Sequence, residues 1–130
     1  MTAAKPKILV VEDEFIVAFE MKVALERMGY TVCGMASSGV EALTYAEREK
    51  PDCVLMDISI KGEMDGIEVA RHIRSRYDVG TIFMSGYPVE EMMKRAADVR
   101  PICCFVKPLD YDQLEAALLD YFLSGAGRFV

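Results

Sequence analysis

Basic side chains are too scarce in this chain for a protein that binds the phosphate backbone of nucleic acids. Fifteen lysines and arginines stand against 21 aspartates and glutamates, so the formal charge is -6 and the pI is about 4.8. Nucleic-acid-binding domains usually carry the opposite balance, because Lys and Arg neutralise the phosphates. We therefore expect no direct contact with nucleic acid, and an anionic ligand would need a metal ion or a local cation.

Cysteine pairs with metal-binding spacing are also absent. The four cysteines are Cys33, Cys53, Cys103 and Cys104, and no two of them form a CxxC motif. Cys103 and Cys104 are adjacent, and neighbouring residues of one strand point to opposite faces of a sheet. This pattern favours free thiols in a reducing cytoplasm over disulfides or a zinc site.

No apolar run near the N-terminus is long enough for a signal peptide or a membrane span. The first run, Ile8–Val11, ends at acidic residues. A membrane-spanning helix needs about 20 predominantly apolar residues. We therefore expect a cytoplasmic protein that makes no contact with a membrane.

What the chain does contain is an alternation of short apolar runs and amphipathic stretches. With 130 residues, of which 52% are apolar and 28% charged, it is predicted to form one domain over 1–130, with a core at about 7–123 and a tail or linker stub at 124–130. Continuous apolar runs are typical of strands buried on both faces of a parallel sheet. The predicted strands are 7–11, 30–36, 52–57, 80–84 and 102–106, and the helices after them lie at about 14–28, 38–50 and 67–77, from Pro88, and from Asp110. Five such cycles predict a doubly wound α/β sandwich.

Polar side chains follow the predicted strands where each strand ends. Glu12 and Asp13 come after the first strand, Asp57 ends the third, Ser85 follows the fourth and Lys107 follows the fifth. Ligands of doubly wound sheets bind beyond the carboxyl ends of the strands, so we expect these side chains to meet. Clustered carboxylates repel one another unless a cation is bound, and oxygen ligands suit Mg²⁺ or Mn²⁺.

The same set of side chains supplies what an in-line phosphoryl transfer requires. A divalent ion held by carboxylates keeps positions for phosphoryl oxygens. Lys107 would neutralise a second oxygen, and Ser85 would donate a hydrogen bond to the third. If the protein itself is phosphorylated, one of the carboxylates must be the nucleophile.

Five short motifs at these strand ends carry a resemblance to a known family. They are Val10-Val-Glu-Asp-Glu14, Val54-Leu-Met-Asp57, Met64-Asp-Gly66, Phe83-Met-Ser-Gly86 and Phe105-Val-Lys-Pro108. Each motif alone is weak, but in this order, from Ile8 to about Phe122, the chain resembles the receiver domain of two-component response regulators of the chemotaxis type. The resemblance implies a flavodoxin-like (βα)5 fold with a five-stranded parallel sheet of order 2-1-3-4-5.

For the site, the resemblance implies a phospho-acceptor that depends on Mg²⁺. Asp57 would accept the phosphoryl group from a phosphohistidine of a sensor histidine kinase or a histidine phosphotransfer protein. Asp13, Asp57 and the backbone carbonyl of Ser59 would bind the ion directly, and Glu12 would hold it through water. Lys107 would pair with Asp57 and then with its phosphate.

For the response, the resemblance implies a switch rather than an enzyme acting on a separate substrate. Ser85 would swing inward to hold the phosphate, and the chain would assist its own phosphorylation and dephosphorylation. The change would reach a face formed by the fourth helix, the fifth strand and the fifth helix, which would bind a downstream protein.

Several positions depart from the usual pattern of that family. Glu12 stands where Asp is commoner, and Ser85 replaces the more usual Thr. Cys104 occupies the position where many receivers carry a Tyr or Phe that rotates inward. The aromatic falls one residue later, at Phe105, which should point to the opposite face and belong to the core. Tyr87 is the nearest candidate for a substitute switch residue.

Other classes of function fit these residues less well. A nucleotide-binding enzyme would show GxGxxG or GxxxxGK[ST], and neither occurs. A flavodoxin-like electron carrier would have a loop rich in Ser, Thr and Gly after its first strand, where this chain has Glu12-Asp-Glu14. A phosphatase of the haloacid dehalogenase type would have a DxD motif there. The alternative that stays open is a receiver-like protein-interaction module that is not phosphorylated.

Overall fold

Strands and helices alternate along the 120 residues, 5–124, that the computed structural model describes. The elements are β1 (Lys7–Val11), α1 (Phe15–Arg27), β2 (Thr31–Ala36), α2 (Gly39–Glu49), β3 (Cys53–Asp57), α3 (Gly66–Tyr77), β4 (Gly80–Ser85), α4 (Val89–Arg95), a 3₁₀ helix (Ala97–Val99), β5 (Cys103–Val106) and α5 (Tyr111–Leu123). They match the predicted elements to within a few residues, except that α4 is short. All of the predicted tail except Ser124 lies outside the described residues.

The five strands form one parallel sheet in the order β2-β1-β3-β4-β5, so the predicted fold class is confirmed. β1 and β3 are neighbours, with Val11 opposite Met56. The chain leaves β1 for β2 on one side and later returns to β3 on the other side. This reversal of strand order opens a crevice at the carboxyl ends of β1 and β3.

Side chains of the central strands alternate between two apolar layers. In β3, Val54 and Met56 pack in a layer with residues of α2, α3 and α4, whereas Cys53 and Leu55 pack in a layer with residues of α1 and α5. This is the period of two that a strand requires, and it explains why the strand sequences are continuously apolar. Within residues 5–124, no helix has the length and apolar character that a membrane crossing requires.

Side-chain caps begin three of the helices. Ser38, Asp65 and Asp110 each accept a backbone N–H from the first turn of α2, α3 and α5. α4 differs, because its N-cap residue is Pro88, which makes no side-chain cap hydrogen bond. The fourth helix was predicted to begin at Pro88, but Pro88 directly precedes it, and the helix ends at Arg95 after seven residues.

The cysteines behave as the spacing predicts. Cys103 packs in the layer of α1 and α5, and Cys104 lies in the layer of α2, α3 and α4. All four cysteines are free thiols. Burial raises the pKa of Cys33 and of Cys103 to about 11, and it also raises the pKa of the fully buried Cys53. These groups are therefore small apolar side chains at neutral pH.

Gly66 lets the start of α3 approach the end of β3 closely. A Cβ atom at Gly66 would lie 2.3 Å from the backbone oxygen of Asp57 and 2.8 Å from the Cα atom of Ile58. The N–H of Gly66 donates to the backbone oxygen of Ile58 at 2.9 Å. A larger residue would have to displace backbone beside the predicted acceptor.

We predict that Gly66→Ala lowers the free energy of unfolding by about 1–3 kcal/mol, because the added methyl group must move backbone rather than a flexible side chain. Gly86→Ala is a matched control, since nothing lies within 4 Å of a Cβ atom there. Its expected effect is within about 0.5 kcal/mol. Urea unfolding followed by circular dichroism measures both, and equal stabilities would contradict the close approach.

Candidate functional site

Three carboxylates meet at the carboxyl ends of β1 and β3. Glu12 and Asp13 directly follow β1, and Asp57 is the last residue of the neighbouring strand β3. One carboxylate oxygen from each of the three lies within 4.8 Å of the others. The structure therefore brings together the acidic residues that the sequence placed at this edge.

Lys107 adds a positive charge to this cluster from the end of β5. Its Nζ atom donates to Oε1 of Glu12 at 2.8 Å and to Oδ2 of Asp57 at 2.9 Å. Its backbone N–H donates to the oxygen of Ser85 at 2.8 Å, which continues the β4–β5 pairing to the site. The following Lys107–Pro108 peptide bond is cis.

The contact between Lys107 and Glu12 is the part of the site that sequence reasoning missed. The resemblance implied a pair between Lys107 and Asp57, with Glu12 directed to the metal. The signal was the glutamate itself, since a chain one methylene longer than aspartate reaches further across the site. In the structure, the longer side chain of Glu12 accepts a hydrogen bond from Lys107.

The remaining oxygens of the two buried carboxylates also have donors. Oε2 of Glu12 accepts the N–H of Glu14 at 3.2 Å, and Oδ1 of Asp57 accepts the N–H of Ser59 at 2.9 Å. Each of these two carboxylates is thus held by one backbone N–H and by Lys107. This arrangement fixes their orientation before any ligand binds.

Burial makes the electrostatics of the site strong. The side chains of Glu12 and Asp57 are 0% and 4% exposed, and that of Lys107 is 28% exposed. Burial raises the pKa of Glu12 despite the hydrogen bond from Lys107. For Lys107, burial lowers the pKa, but the contacts with Asp57 and Glu12 outweigh burial and leave the pKa raised. The lysine therefore stays charged at neutral pH.

The donor set fits a hard divalent cation. Three carboxylates and one ammonium leave a formal charge of -2, and oxygen ligands are those that Mg²⁺ and Mn²⁺ prefer. Asp13 is partly exposed, and no described residue donates a hydrogen bond to its carboxylate. Asp13 and Asp57 are the residues that would hold such an ion, and the role of the Ser59 carbonyl stays a prediction.

The residues predicted to respond lie on β4, β5 and the loop after β4. Ser85 is 1% exposed, and its Oγ accepts the N–H of Tyr87 at 3.2 Å. The side chain of Tyr87 is 50% exposed. Cys104 is buried with its Sγ 3.4 Å from Sδ of Met93 on α4, and Phe105 packs in the opposite layer. Phe105 thus faces the predicted side of the sheet, where it is partly buried against the apolar layer.

The fold and the site together define a class, a doubly wound parallel α/β domain with an acidic cluster and a lysine at its topological switch point. The response regulator receiver domain family matches residues 8–119. The chain belongs to this family.

Two similar curated proteins come from bacteria. The transcriptional regulatory protein PdtaR of Mycobacterium tuberculosis is 32% identical over 117 residues, which cover 89% of this chain and 57% of PdtaR. Sporulation initiation phosphotransferase F of Bacillus subtilis is 30% identical over 116 residues, which cover 88% of this chain and 92% of that protein. The chain thus spans little more than half the length of PdtaR.

A solved structure of similar shape is the signal receiver domain of a modulated diguanylate cyclase from Desulfovibrio desulfuricans. It has a TM-score of 0.81 and 32% sequence identity, and the match covers 88% of this chain and 91% of that chain.

We predict that Lys107→Met lowers the free energy of unfolding by about 1–3 kcal/mol at pH 7.5, because the buried carboxylates lose their shared cation. The pKa of Glu12, already raised by burial, would rise further. A carboxyl group with a raised folded-state pKa destabilises the fold above that pKa, so the loss should shrink as the pH falls toward 4.5.

Urea unfolding at pH 7.5 and pH 5 measures this difference. Lys94→Met, at an exposed position of α4, is the control and should change stability by less than about 0.5 kcal/mol at either pH. A loss for Lys107→Met of the same size at both pH values would contradict the assignment to the buried ion pairs.

Proposed function

We propose that this chain is a phosphorylated switch of a two-component pathway and that Asp57 is its acceptor. The observation that carries the proposal is the setting of the Asp57 carboxylate. It lies nearly buried at the end of β3, with Nζ of Lys107 and the N–H of Ser59 both at 2.9 Å. Two further carboxylates lie within 4.8 Å. A nucleophile for phosphoryl transfer needs this combination of a fixed position and nearby positive charge.

In the proposed reaction, a carboxylate oxygen of Asp57 attacks the phosphorus atom of a phosphohistidine. The new O–P bond forms as the N–P bond breaks, and the imidazole leaves with the electron pair of that bond, neutral when its other nitrogen carries a proton. A divalent ion, when bound, would neutralise charge on the phosphoryl oxygens. Asp13 and Asp57 would hold it directly, with the Ser59 carbonyl as a third ligand and Glu12 acting through water.

Lys107 would serve the reaction with its ammonium group. It is held by Glu12 as well as by Asp57. When Asp57 becomes an acyl phosphate, the ammonium can pair with a phosphoryl oxygen while its contact with Glu12 keeps it in place. We therefore assign Glu12 a second task, which is to anchor the lysine.

Ser85 gives the proposed signal a route out of the site. Its hydroxyl accepts the N–H of Tyr87, and turning it toward a phosphate on Asp57 would break this hydrogen bond. The loop after β4 would then lose one of its contacts. Phosphorylation also replaces one negative charge with about two, so the resting and phosphorylated states differ in both charge and hydrogen bonding.

The proposed partners are proteins. Upstream, we assign a histidine kinase or a histidine phosphotransfer protein. Downstream, we assign a protein that binds the face formed by α4, β5 and α5, where the apolar side chains of Val89, Met93 and Val106 are exposed. The chain would act as a switch without turning over a separate substrate. Its free thiols support a place in the reducing cytoplasm.

We predict that acetyl phosphate with Mg²⁺ adds one phosphoryl group to the protein and that Asp57→Asn abolishes the addition, because an amide lacks the nucleophilic carboxylate. Asp112→Asn, at an exposed position in the first turn of α5, is the matched control and should be phosphorylated normally. Intact-protein mass spectrometry measures the increment, and chelation of the metal by EDTA should suppress it.

Two results would reject this function. One is the absence of a phosphoryl increment in the protein without substitutions, which would favour a protein-interaction module that is not phosphorylated. The other is an increment that persists at full yield in Asp57→Asn, which would place the acceptor elsewhere.

We predict that Tyr87→Ala shortens the lifetime of the acyl phosphate by at least about threefold, because we expect the ring, two residues after Ser85, to restrict the access of water. Tyr87→Phe keeps the ring and should keep the lifetime. The measurement is the decay of the phosphorylated mass after removal of acetyl phosphate. Equal lifetimes for the protein without substitutions and for Tyr87→Ala would show that the ring does not protect the acyl phosphate.

A further inference from the structure

Polar contacts tie helix α3 to the second half of α4 and to the 3₁₀ helix that follows it. Oδ2 of Asp65, the N-cap residue of α3, lies 2.6 Å from Nη2 of Arg95 at the end of α4. Two turns further along α3, Arg71 donates to both carboxylate oxygens of Asp98, at 2.6 and 3.3 Å. Two separate ion pairs thus join the same two segments.

A third contact is made by Arg74, three residues after Arg71 on the same side of α3. Its Nε atom donates to the backbone oxygen of Val99 at 3.0 Å, and its Nη2 atom donates to the backbone oxygen of Arg100 at 2.6 Å. These two carbonyls belong to the end of the 3₁₀ helix and its C-cap. We call the three contacts of α3 with residues 95–100 the α3 clasp.

The members of the α3 clasp differ in strength. The ion pairs of Arg95 and Arg71 are 33–57% exposed on both sides, so solvent weakens them. The side chain of Arg74 is only 22% exposed, and its planar guanidinium satisfies two carbonyls that end a helix. Arg74 is therefore the main member of the clasp.

The chain before the clasp is held much less firmly. The six residues Gly86–Glu91 are all exposed, whereas Met92, Ala96 and Val99 are buried against the layer that includes α3. The first turn of α4 also lacks a side-chain cap. Few buried contacts and an uncapped helix start are the features of a segment that opens at low free-energy cost.

A cavity marks the boundary between the two parts. It has a volume of about 180 Å³ and is lined by Tyr87, Glu91, Met92 and Arg95. Tyr87 and Glu91 belong to the exposed segment, and Arg95 belongs to the clasp. The exposed segment thus has space beside it into which a side chain can move without displacing α3.

We infer that the α3 clasp divides α4 into a segment that responds to phosphorylation, residues 86–91, and a fixed segment, residues 92–100. This inference rests on the proposed function, since it assumes that Asp57 is phosphorylated. A movement of Ser85 acts directly on residue 86, which follows it in the chain. The movement does not extend to residues 95–100, because α3 holds them in place. The part of the α4–β5–α5 face that changes on phosphorylation is then the loop and first turn of α4, and the helix does not shift as one body.

Hydrogen–deuterium exchange of the full chain, with and without excess acetyl phosphate and Mg²⁺, tests the division. In the protein without substitutions, phosphorylation should alter exchange in peptides from 86–91 by at least threefold and leave exchange in peptides from 93–100 unchanged. In Arg74→Met, which keeps the aliphatic stem but loses the donors, peptides from 93–100 should exchange at least fivefold faster and should now respond to phosphorylation. Arg76→Met, on the same helix and outside the clasp, is the matched control. Its exchange rates should equal those of the protein without substitutions, with and without phosphorylation.

The outcomes separate the two proposals, because intact mass is recorded on the same samples. A phosphoryl increment with equal exchange responses in 86–91 and 93–100 would overturn the inference about the clasp alone. Unchanged exchange of 93–100 in Arg74→Met would also overturn it. Absence of the increment would reject the proposed function and this inference with it. If Arg74→Met does not fold, Asp98→Asn removes the Arg71 pair and should still speed exchange in 93–100 by at least twofold.

Discussion

The ammonium of Lys107, shared by the carboxylates of Glu12 and Asp57, is the contact on which this site depends. Two carboxylates with exposures of 0% and 4% would repel each other at short range without a cation. One lysine only partly neutralises the cluster, which keeps a formal charge of -2 with Asp13 included. The site is therefore stable enough to fold and still attractive to a divalent cation. A modification of Asp57 necessarily acts on Lys107.

The sheet explains how charges so distant in sequence are held at contact distance. Glu12 follows β1, Asp57 ends β3 and Lys107 follows β5, and these strands have apolar residues on both faces. Helices cover both faces, so the strand ends and the side chains that they carry to this edge are held in fixed positions. The backbone bond from Lys107 to Ser85 carries the order of the sheet into the site itself. The loop after β4 is exposed at the same edge of the sheet. This edge therefore combines the fixed cluster of Glu12, Asp57 and Lys107 with an exposed loop.

Much of this fold was readable from the sequence because its signals are local. Continuous apolar runs marked the strands, and the stretches that begin at 38 and at Asp110 marked two of the helices to within one residue of their observed starts. The end of α4 could not be predicted from its sequence. Its sequence continues with good helix formers past Arg95, but burial of Ala96 and Val99 and the left-handed backbone of Arg100 end it in a 3₁₀ turn. The layer that buries Ala96 and Val99 includes α3, and Arg74 of α3 donates to the carbonyls of Val99 and Arg100, so these contacts come from outside the segment.

For the site, the sequence alone determined which chemical groups stand at the strand ends. The strands are parallel, so an acid or a lysine that follows any of them lies at the same edge of the sheet. It also determined that Cys104 and Phe105 face opposite layers, because strand geometry alternates. Only the tertiary structure decided how the groups pair. Glu12 and Lys107 are 95 residues apart. Whether the carboxylate turns to the lysine or to open solvent depends on side-chain length and on burial across the four strands from β1 to β5. No periodicity in the sequence encodes such a distance.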